Sequence, residues 1–357
     1  MNPDSSATRK PKIIVTNRIF PETRALLAAH AALDVNEAVE PWPYREVRER
    51  CRDADGMLAF MTDRIDAGFL AACPDLKAIG AALKGYDNID VDAATKAGVW
   101  VTIVPDLLTV PTAELAIGLI LSLGRHIVTA DARIRSHGFA GWRPELYGAG
   151  VAHATVGIAG LGHVGRAIAA RLAPFGCRLL GYDLTASMLP APLAEQVERV
   201  DFDALLVRSD YLVLALPLTP ATQLLMDEAA IARMKPGARL VNPARGSLVD
   251  EAAVADALES GRLAGYAADV FECEDWARDD RPAGIEPRLT APGARTVLTP
   301  HIGSAVADVR REIELSAARN IVAALSGRVP PDAVNAPTER SIDAQPRARQ
   351  DVSRRPR

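Results

Sequence analysis

Three short segments carry the residue types that hold anions and move protons: LVNPARGSLVDE with Arg245, YAADVFECEDW with Asp269 and Glu274, and VLTPHIGSA with His301. A guanidinium can grip an oxyanion through two parallel N–H donors. A histidine titrates near neutrality and suits proton transfer, and a carboxylate on its second ring nitrogen fixes the tautomer and makes the imidazole more basic. Arg245, Glu274 and His301 lie 29 and 27 residues apart, about one crossover each. Neighbouring strands of a parallel sheet could therefore bring their tips to one cleft. A lone histidine is more often structural. One just beyond a strand and beside the glycine loop described next reads as chemical.

That loop is Gly160-Leu161-Gly162-His163-Val164-Gly165, a G-x-G-x-x-G that follows the apolar run ATVGIA and opens a helical pattern, RAIAARLAPFG. Asp183 stands 18 positions beyond Gly165, at the end of the next strand pattern. This is the context a dinucleotide site requires. Gly160 permits the tight turn, Gly162 the approach of a pyrophosphate, and Gly165 the close packing of helix and strand. The phosphates would meet free N–H groups at the helix N-terminus. Asp183 can accept both ribose hydroxyls and repel a 2′-phosphate, and neither Leu184 nor Thr185 rewards that phosphate, so NAD is expected over NADP. Arg178, earlier on the strand, is not expected to reverse this. His163 is expected to face the pyrophosphate or solvent. The expected cofactor-binding set also takes in Val164, Thr112, Leu216, Pro217, Pro243, Ala244 and Asp269.

Placing these groups needs strands that end at a common edge. From Lys12, short buried strands alternate with amphipathic helices: strand KIIVTN, helix Glu22–His30, strand Gly56–Phe60, helix Ala67–Ala72, strand Leu76–Gly80, and a helix around Val91–Ala97. A long helical stretch from about Val110 to His137 follows. Its apolar residues occupy more than one face, so it is expected to lie at a domain junction or against a subunit partner. A second series, ATVGIA, LLGYD, DYLVLALP, RLVNPA, GYAADVF and TVLTPH, predicts a second parallel sheet. The fold class expected is α/β, with two doubly wound parallel-sheet domains, the second starting near residue 110.

Length and composition agree with this reading. A chain of 357 residues, 49% apolar and 24% charged, suits two cores. Its formal charge of −4 gives no electrostatic reason for a nucleic-acid or membrane partner. Cys51, Cys73, Cys177 and Cys273 form no CxxC pair, which suits reduced thiols in the cytoplasm and no metal site. No run reaches the roughly 18–20 apolar residues needed to span a bilayer, and Met1–Lys10 does not resemble a signal peptide. Residues 1–10 and 337–357, the latter rich in arginine, are expected to be disordered tails.

In this order, GLGHVG, NPARGSLVDE, GYAADVFECED and TPHIGS resemble the D-isomer-specific 2-hydroxyacid dehydrogenase superfamily over roughly residues 11–336. The resemblance implies NAD-linked hydride transfer with Arg245, Glu274 and His301 as the catalytic trio. It also implies a flavodoxin-like substrate domain, 11–106 plus 307–336, a Rossmann NAD-binding domain, 107–306, and a cleft between them. A homodimer with the long helix at its interface is implied as well. In AALKGYDN, residues 81–88, Gly85 is expected to offer its backbone to the substrate, while Lys84 adds a second cation facing Arg245. Two cations suit a small dianion better than a monocarboxylate.

FMTDRID, ALKGYDNIDVDAA, VPDLLTVPTAELAIGL and DVFECEDWARDDRP further resemble the phosphonate (phosphite) dehydrogenases of that superfamily. The closer resemblance implies oxidation of phosphite to phosphate, with Lys84, Met61, Gly85, Trp142, Tyr147 and Ser304 binding substrate and the two aromatics closing the site against water. It departs at Thr62, where those enzymes carry proline, at Asp183, where they carry glutamate, and in an extra residue before His301. The alternative is an ordinary D-2-hydroxyacid dehydrogenase or 2-ketoacid reductase with Lys84 on a dicarboxylate. A third reading is an NAD-sensing regulator without turnover, against which the intact trio speaks. The identity of the general base stays open.

Overall fold

The computed structural model describes residues 9–185, 188–275 and 278–337. The two tails expected on sequence lie outside these except at their inner ends. There, Arg9 and Lys10 are fastened to the body rather than loose: Arg9 pairs with Asp55 at 3.0 Å and Lys10 Nζ donates to the Ala28 carbonyl at 2.8 Å.

Five strands form the first sheet: β1 (Lys12–Val15), β2 (Ala32–Val35), β3 (Gly56–Ala59), β4 (Ala78–Ala81) and β5 (Trp100–Thr102), all parallel, in the order β2-β1-β3-β4-β5. Successive residues of a strand face opposite sides, and here both sides are buried. Ile13 and Val15 pack with the C-terminal helix Ala307–Leu325, through Ile313, Ala317 and Ile321, whereas Ile14 packs with Met57, Ile79 and Phe69 on the other side. Gly80 explains how that helix seats so closely. A methyl there would lie 2.5 Å from the Ile321 side chain and 2.6 Å from the Ala317 carbonyl. The chain beyond the helix ties back to the same sheet, since the Asn335 side chain accepts from Val101 N–H at 2.8 Å and donates to the Val99 carbonyl at 2.9 Å.

Seven more strands form the second sheet: β6 (Thr155–Ala159), β7 (Arg178–Tyr182), β8 (Val197–Arg199), β9 (Tyr211–Leu214), β10 (Ala238–Asn242), β11 (Leu263–Ala268) and β12 (Thr296–Leu298). They are parallel throughout, in the order β12-β11-β10-β9-β6-β7-β8. The Thr109–Gly124 helix covers one face, with Ala113, Ala116, Ile120 and Leu123 packing on Val156, Ile158, Val213 and Val241. Strand order reverses between β1 and β3 in one sheet and between β6 and β9 in the other. Those reversals open crevices at the carboxyl ends of the strands.

The single helix expected from about Val110 to His137 is two. Thr109–Gly124 and Ile127–His137 meet at a 61° bend. At the break the Gly124 carbonyl accepts from Ala149 N–H at 2.8 Å, and His126 takes a left-handed conformation with φ of 54°. The two halves also differ in burial. The first carries the core contacts, while the second, IVTADARIRSH, has no buried residue. Strands β2, β5 and β8 were not foreseen. Each has three or four residues and lies at a sheet edge, too short to show a period. No single described helix is long and apolar enough to cross a membrane.

Candidate active site

The glycine loop is shaped by its neighbours. Gly160 has φ of +101°, and a methyl on it would stand 2.3 Å from the Ala215 carbonyl. A methyl on Gly165 would stand 1.9 Å from the Gly160 carbonyl, so that glycine serves helix–strand packing. Nothing lies within 4 Å of a methyl built on Gly162, the N-cap of the helix His163–Leu172, so its backbone and the free N–H groups of the first turn can be approached. Across the loop, Asp183 accepts from Leu161 N–H at 2.7 Å and from the Thr185 amide and hydroxyl at 2.8 and 2.7 Å. Burial works to raise its pKa, but those bonds and the nearby Arg199 outweigh it and hold the carboxyl below the usual aspartate range. An ionised carboxylate and an open helix N-terminus fit the ribose and the pyrophosphate of NAD.

Next to this loop a cavity of about 340 Å³ lies between the two sheets. It brings together Met61, Lys84 and Gly85 from the first sheet with Thr112, Gly162, His163, Val164, Leu216, Pro217, Pro243, Ala244, Arg245, Asp269, His301 and Ser304 from the other side. Gly160, Gly165 and Asp183 do not line it. His163 pairs with Asp106 at 3.1 Å in an exposed position.

His301 has φ of 53°, a conformation a non-glycine residue holds only when its surroundings impose it. Asp269 imposes it. Its carbonyl accepts from His301 N–H at 2.8 Å, and its carboxylate accepts from the Ile302 and Gly303 N–H groups at 2.8 Å each and from the Thr299 hydroxyl at 2.6 Å. Burial raises the Asp269 pKa, with these donors and His301 pulling against it. Asp269 thus lines the cavity, but its oxygens are engaged by the loop. Glu274 lies behind the histidine, its Oε2 2.7 Å from His301 Nδ1 while Oε1 accepts from Phe271 N–H at 2.8 Å. That leaves Nε2 as the nitrogen available to a substrate.

Arg245 leaves the end of β10. Its Nε donates to Asp87 across the cleft at 2.9 Å, and Nη1 to the Ala244 carbonyl at 2.8 Å. Gly85 makes room for it, since a methyl there would sit 1.9 Å from Arg245 Nη2. Lys84, the adjacent residue, is half-buried, donates to the Thr109 hydroxyl at 3.3 Å and forms no ion pair among the described residues. Burial lowers its pKa, and Asp106 offsets part of that. Two cations on opposite domains therefore line one cavity.

Trp142 and Tyr147 are not brought to it. They are 75% and 76% exposed on the segment after the second helix and line none of the cavity. Closure of the site by these two side chains from within one chain is corrected accordingly. Two polar residues were missed on sequence. Asp87 gave no signal because its partner is 158 positions away. Arg310, on the C-terminal helix, reaches the Ala82 carbonyl at 3.3 Å and Ser304 Oγ at 3.5 Å, and burial lowers its pKa. No group of three or more His, Cys, Asp or Glu among the described residues could hold a metal ion.

Residues 117–303 match the family model "D-isomer specific 2-hydroxyacid dehydrogenase, NAD binding domain". The chain belongs to the D-isomer specific 2-hydroxyacid dehydrogenase family. It is 36% identical over 334 residues to a glyoxylate reductase of Thermococcus litoralis, covering 91% of this chain and 97% of that relative. It is 38% identical over 330 residues to one of Thermofilum pendens, covering 91% and 95%. Both are named glyoxylate reductase, not phosphonate dehydrogenase, so the comparisons support the family and not the narrower group. Among solved structures, the TT0316 protein of Thermus thermophilus aligns with a TM-score of 0.81 at 33% identity, covering 91% of this chain and 100% of that one. A glyoxylate reductase from a Paecilomyces species aligns at 0.77 and 29%, covering 91% and 98%. This family of NAD-linked oxidoreductases shares the two-domain parallel-sheet architecture seen here.

Proposed function

We propose that the chain oxidises a small dianion, phosphite, to phosphate with hydride transfer to NAD⁺: HPO₃²⁻ + NAD⁺ + H₂O → HPO₄²⁻ + NADH + H⁺. The observation that carries this reading is Lys84, a half-buried ammonium lining the same cavity as Arg245 and His301. A monocarboxylate needs one guanidinium; a dianion is better neutralised by two cations in a site of low polarity. NAD⁺, when bound along the glycine loop, supplies the hydride acceptor. Arg245 and Lys84 would hold the phosphite oxygens and fix the direction of its P–H bond. His301, oriented by Glu274, would take the proton of the attacking water through Nε2. Met61 and Ser304 would pack around the anion.

Reduction of glyoxylate or a related 2-ketoacid is the second reading, and the names of the relatives support it better than they support the first. In that reaction Arg245 would grip the carboxylate and His301 would donate the proton to the new hydroxyl. The test is NADH absorbance with phosphite and NAD⁺ in one well and with glyoxylate and NADH in another. NADH formed from phosphite supports the first reading; oxidation of NADH by glyoxylate alone supports the second.

The remaining expectations belong with this reading. The substrate domain would comprise 11–106 plus 307–336 and the NAD domain 107–306. Two copies would pair through the Ile127–His137 arm, since Ile127, Val128, Ile134, Phe139, Trp142 and Tyr147 are all exposed on or just after it. Four free cysteines suit the cytoplasm.

A further inference from the structure

Behind Arg245 and Glu274 two turns interlock through buried polar groups. The turn Gly246–Leu248 follows the arginine, and the turn Glu272–Glu274 carries the carboxylate. Their backbones touch at Gly246, where a methyl would stand 1.9 Å from the Phe271 carbonyl carbon. Asp275, 5% exposed, accepts from Ser247 N–H at 2.6 Å. Arg278 Nη1 donates to the Ser247 hydroxyl at 2.7 Å and to Glu272 at 2.9 Å. Glu251 adds a further tie: it accepts from Glu272 N–H at 2.8 Å, and its own N–H donates to Glu272 at 3.2 Å. Asp275 adjoins Glu274 in sequence and Ser247 lies two residues after Arg245, so one bond joins the roots of both groups. Arg245, Glu274, Asp275 and His301 also border one small space of about 20 Å³.

We propose that Asp275 is a positioning residue: by holding Ser247 it fixes the turn after Arg245 against the turn that bears Glu274, and so sets the guanidinium relative to His301. The inference rests on the reading that Arg245 holds the substrate anion, and it is the same whether that anion is phosphite or glyoxylate. Asp87 fixes only the far end of the arginine, at Nε. The near end depends on its backbone, where Asn242 donates to the Arg245 carbonyl at 2.8 Å and Asp275 takes the Ser247 N–H. An ionised acceptor makes the stronger bond to a buried N–H, and removing it leaves that donor stranded. Burial raises the Asp275 pKa, while the bonds to Ser247 and the charge of Arg245 pull against it. Once the turn relaxes, about an ångström of drift at the anion-holding group is enough to weaken binding and turnover together.

The test titrates oxalate and inorganic phosphate into the complex of the whole protein with NADH, read by NADH fluorescence, so anion binding is measured without turnover. Asp275→Ala should weaken both anions about tenfold or more and leave NADH affinity within about twofold. Asp275→Asn keeps an oxygen for Ser247 N–H and should recover affinity to within about threefold of the native protein. In an Arg245→Ala background, Asp275→Ala should have no further effect, because it acts through the arginine. If Asp275→Ala does not fold, Ser247→Ala carries the test: it frees the turn from Arg278 alone and should weaken the anions about threefold. Native anion affinity in Asp275→Ala, or in Ser247→Ala where that variant stands in, would overturn the proposal. So would an asparagine variant as weak as the alanine one, NADH affinity that falls in step with anion affinity, or an additive loss in the Arg245→Ala background. A native complex that binds neither anion would overturn it too. A native protein that reduces glyoxylate and ignores phosphite would change the substrate and leave this inference standing.

Discussion

The two walls of the cleft are built in different ways. On the cofactor side, His301 and Glu274 are held by bonds within one domain: Asp269 fixes the loop that carries the histidine, and Phe271 N–H fixes the carboxylate. On the other side, the two cations proposed to hold the anion span both domains. Arg245 springs from β10 but takes its bearing from Asp87 and its room from Gly85, both in the other domain, as is Lys84. The His301–Glu274 pair, proposed to move the proton, is therefore held within one domain, whereas the proposed pair of cations takes one member from each side of the cavity. Substitutions on the two walls should separate accordingly, into loss of substrate affinity and loss of turnover.

The sharpest separation comes from Arg245→Ala. It should lower kcat/KM by about 10³-fold or more, because a charged partner of the anion is lost in a partly desolvated site, with NADH affinity unchanged by titration. Gly85→Ala places a methyl where Arg245 Nη2 now lies. The guanidinium must move by an ångström or more, and kcat/KM should fall about 10²-fold without a change in melting temperature. Asp87→Asn keeps the shape but weakens the bond to Arg245 Nε. It should raise KM about tenfold and leave the pH profile of kcat unmoved, since Asp87 orients the arginine and does not touch the reacting proton. If instead the acidic limb of kcat shifts in Asp87→Asn, the two walls are coupled and the separation fails.

The smallest effect expected is in pH. The ordinary lysine pKa is 10.5, and burial lowers that of Lys84. A lowered pKa in an amine means the charge is lost sooner as pH rises. KM for the anion should therefore climb on the alkaline side below pH 10.5, by a few-fold. Lys84→Arg, which stays charged, should flatten that limb in steady-state kinetics.

What could be read from sequence follows the same division. The glycine loop, Asp183 and the ends of the strands bearing Arg245, Glu274 and His301 are local patterns, each set by one turn, one helix start or one alternation. The contacts that aim them are not local. Asp87 pairs with an arginine far along the chain, and Arg310 arrives on a helix whose apolar residues, such as Ile313, Ala317 and Ile321, serve the first core. The bend after Gly124 was hidden for a similar reason: its carbonyl is captured by Ala149, beyond the end of the second helix. Trp142 and Tyr147 were placed by resemblance alone, and nothing in their segment draws them toward the cleft.

The most direct test of the two-cation site is the steady-state kinetics of Lys84→Ala with phosphite, beside NADH titration. A fall in kcat/KM of about 10²-fold or more with NADH affinity intact is expected if the ammonium neutralises the anion. Wild-type phosphite turnover in the variant would contradict it, as would a native protein that reduces glyoxylate and leaves phosphite untouched.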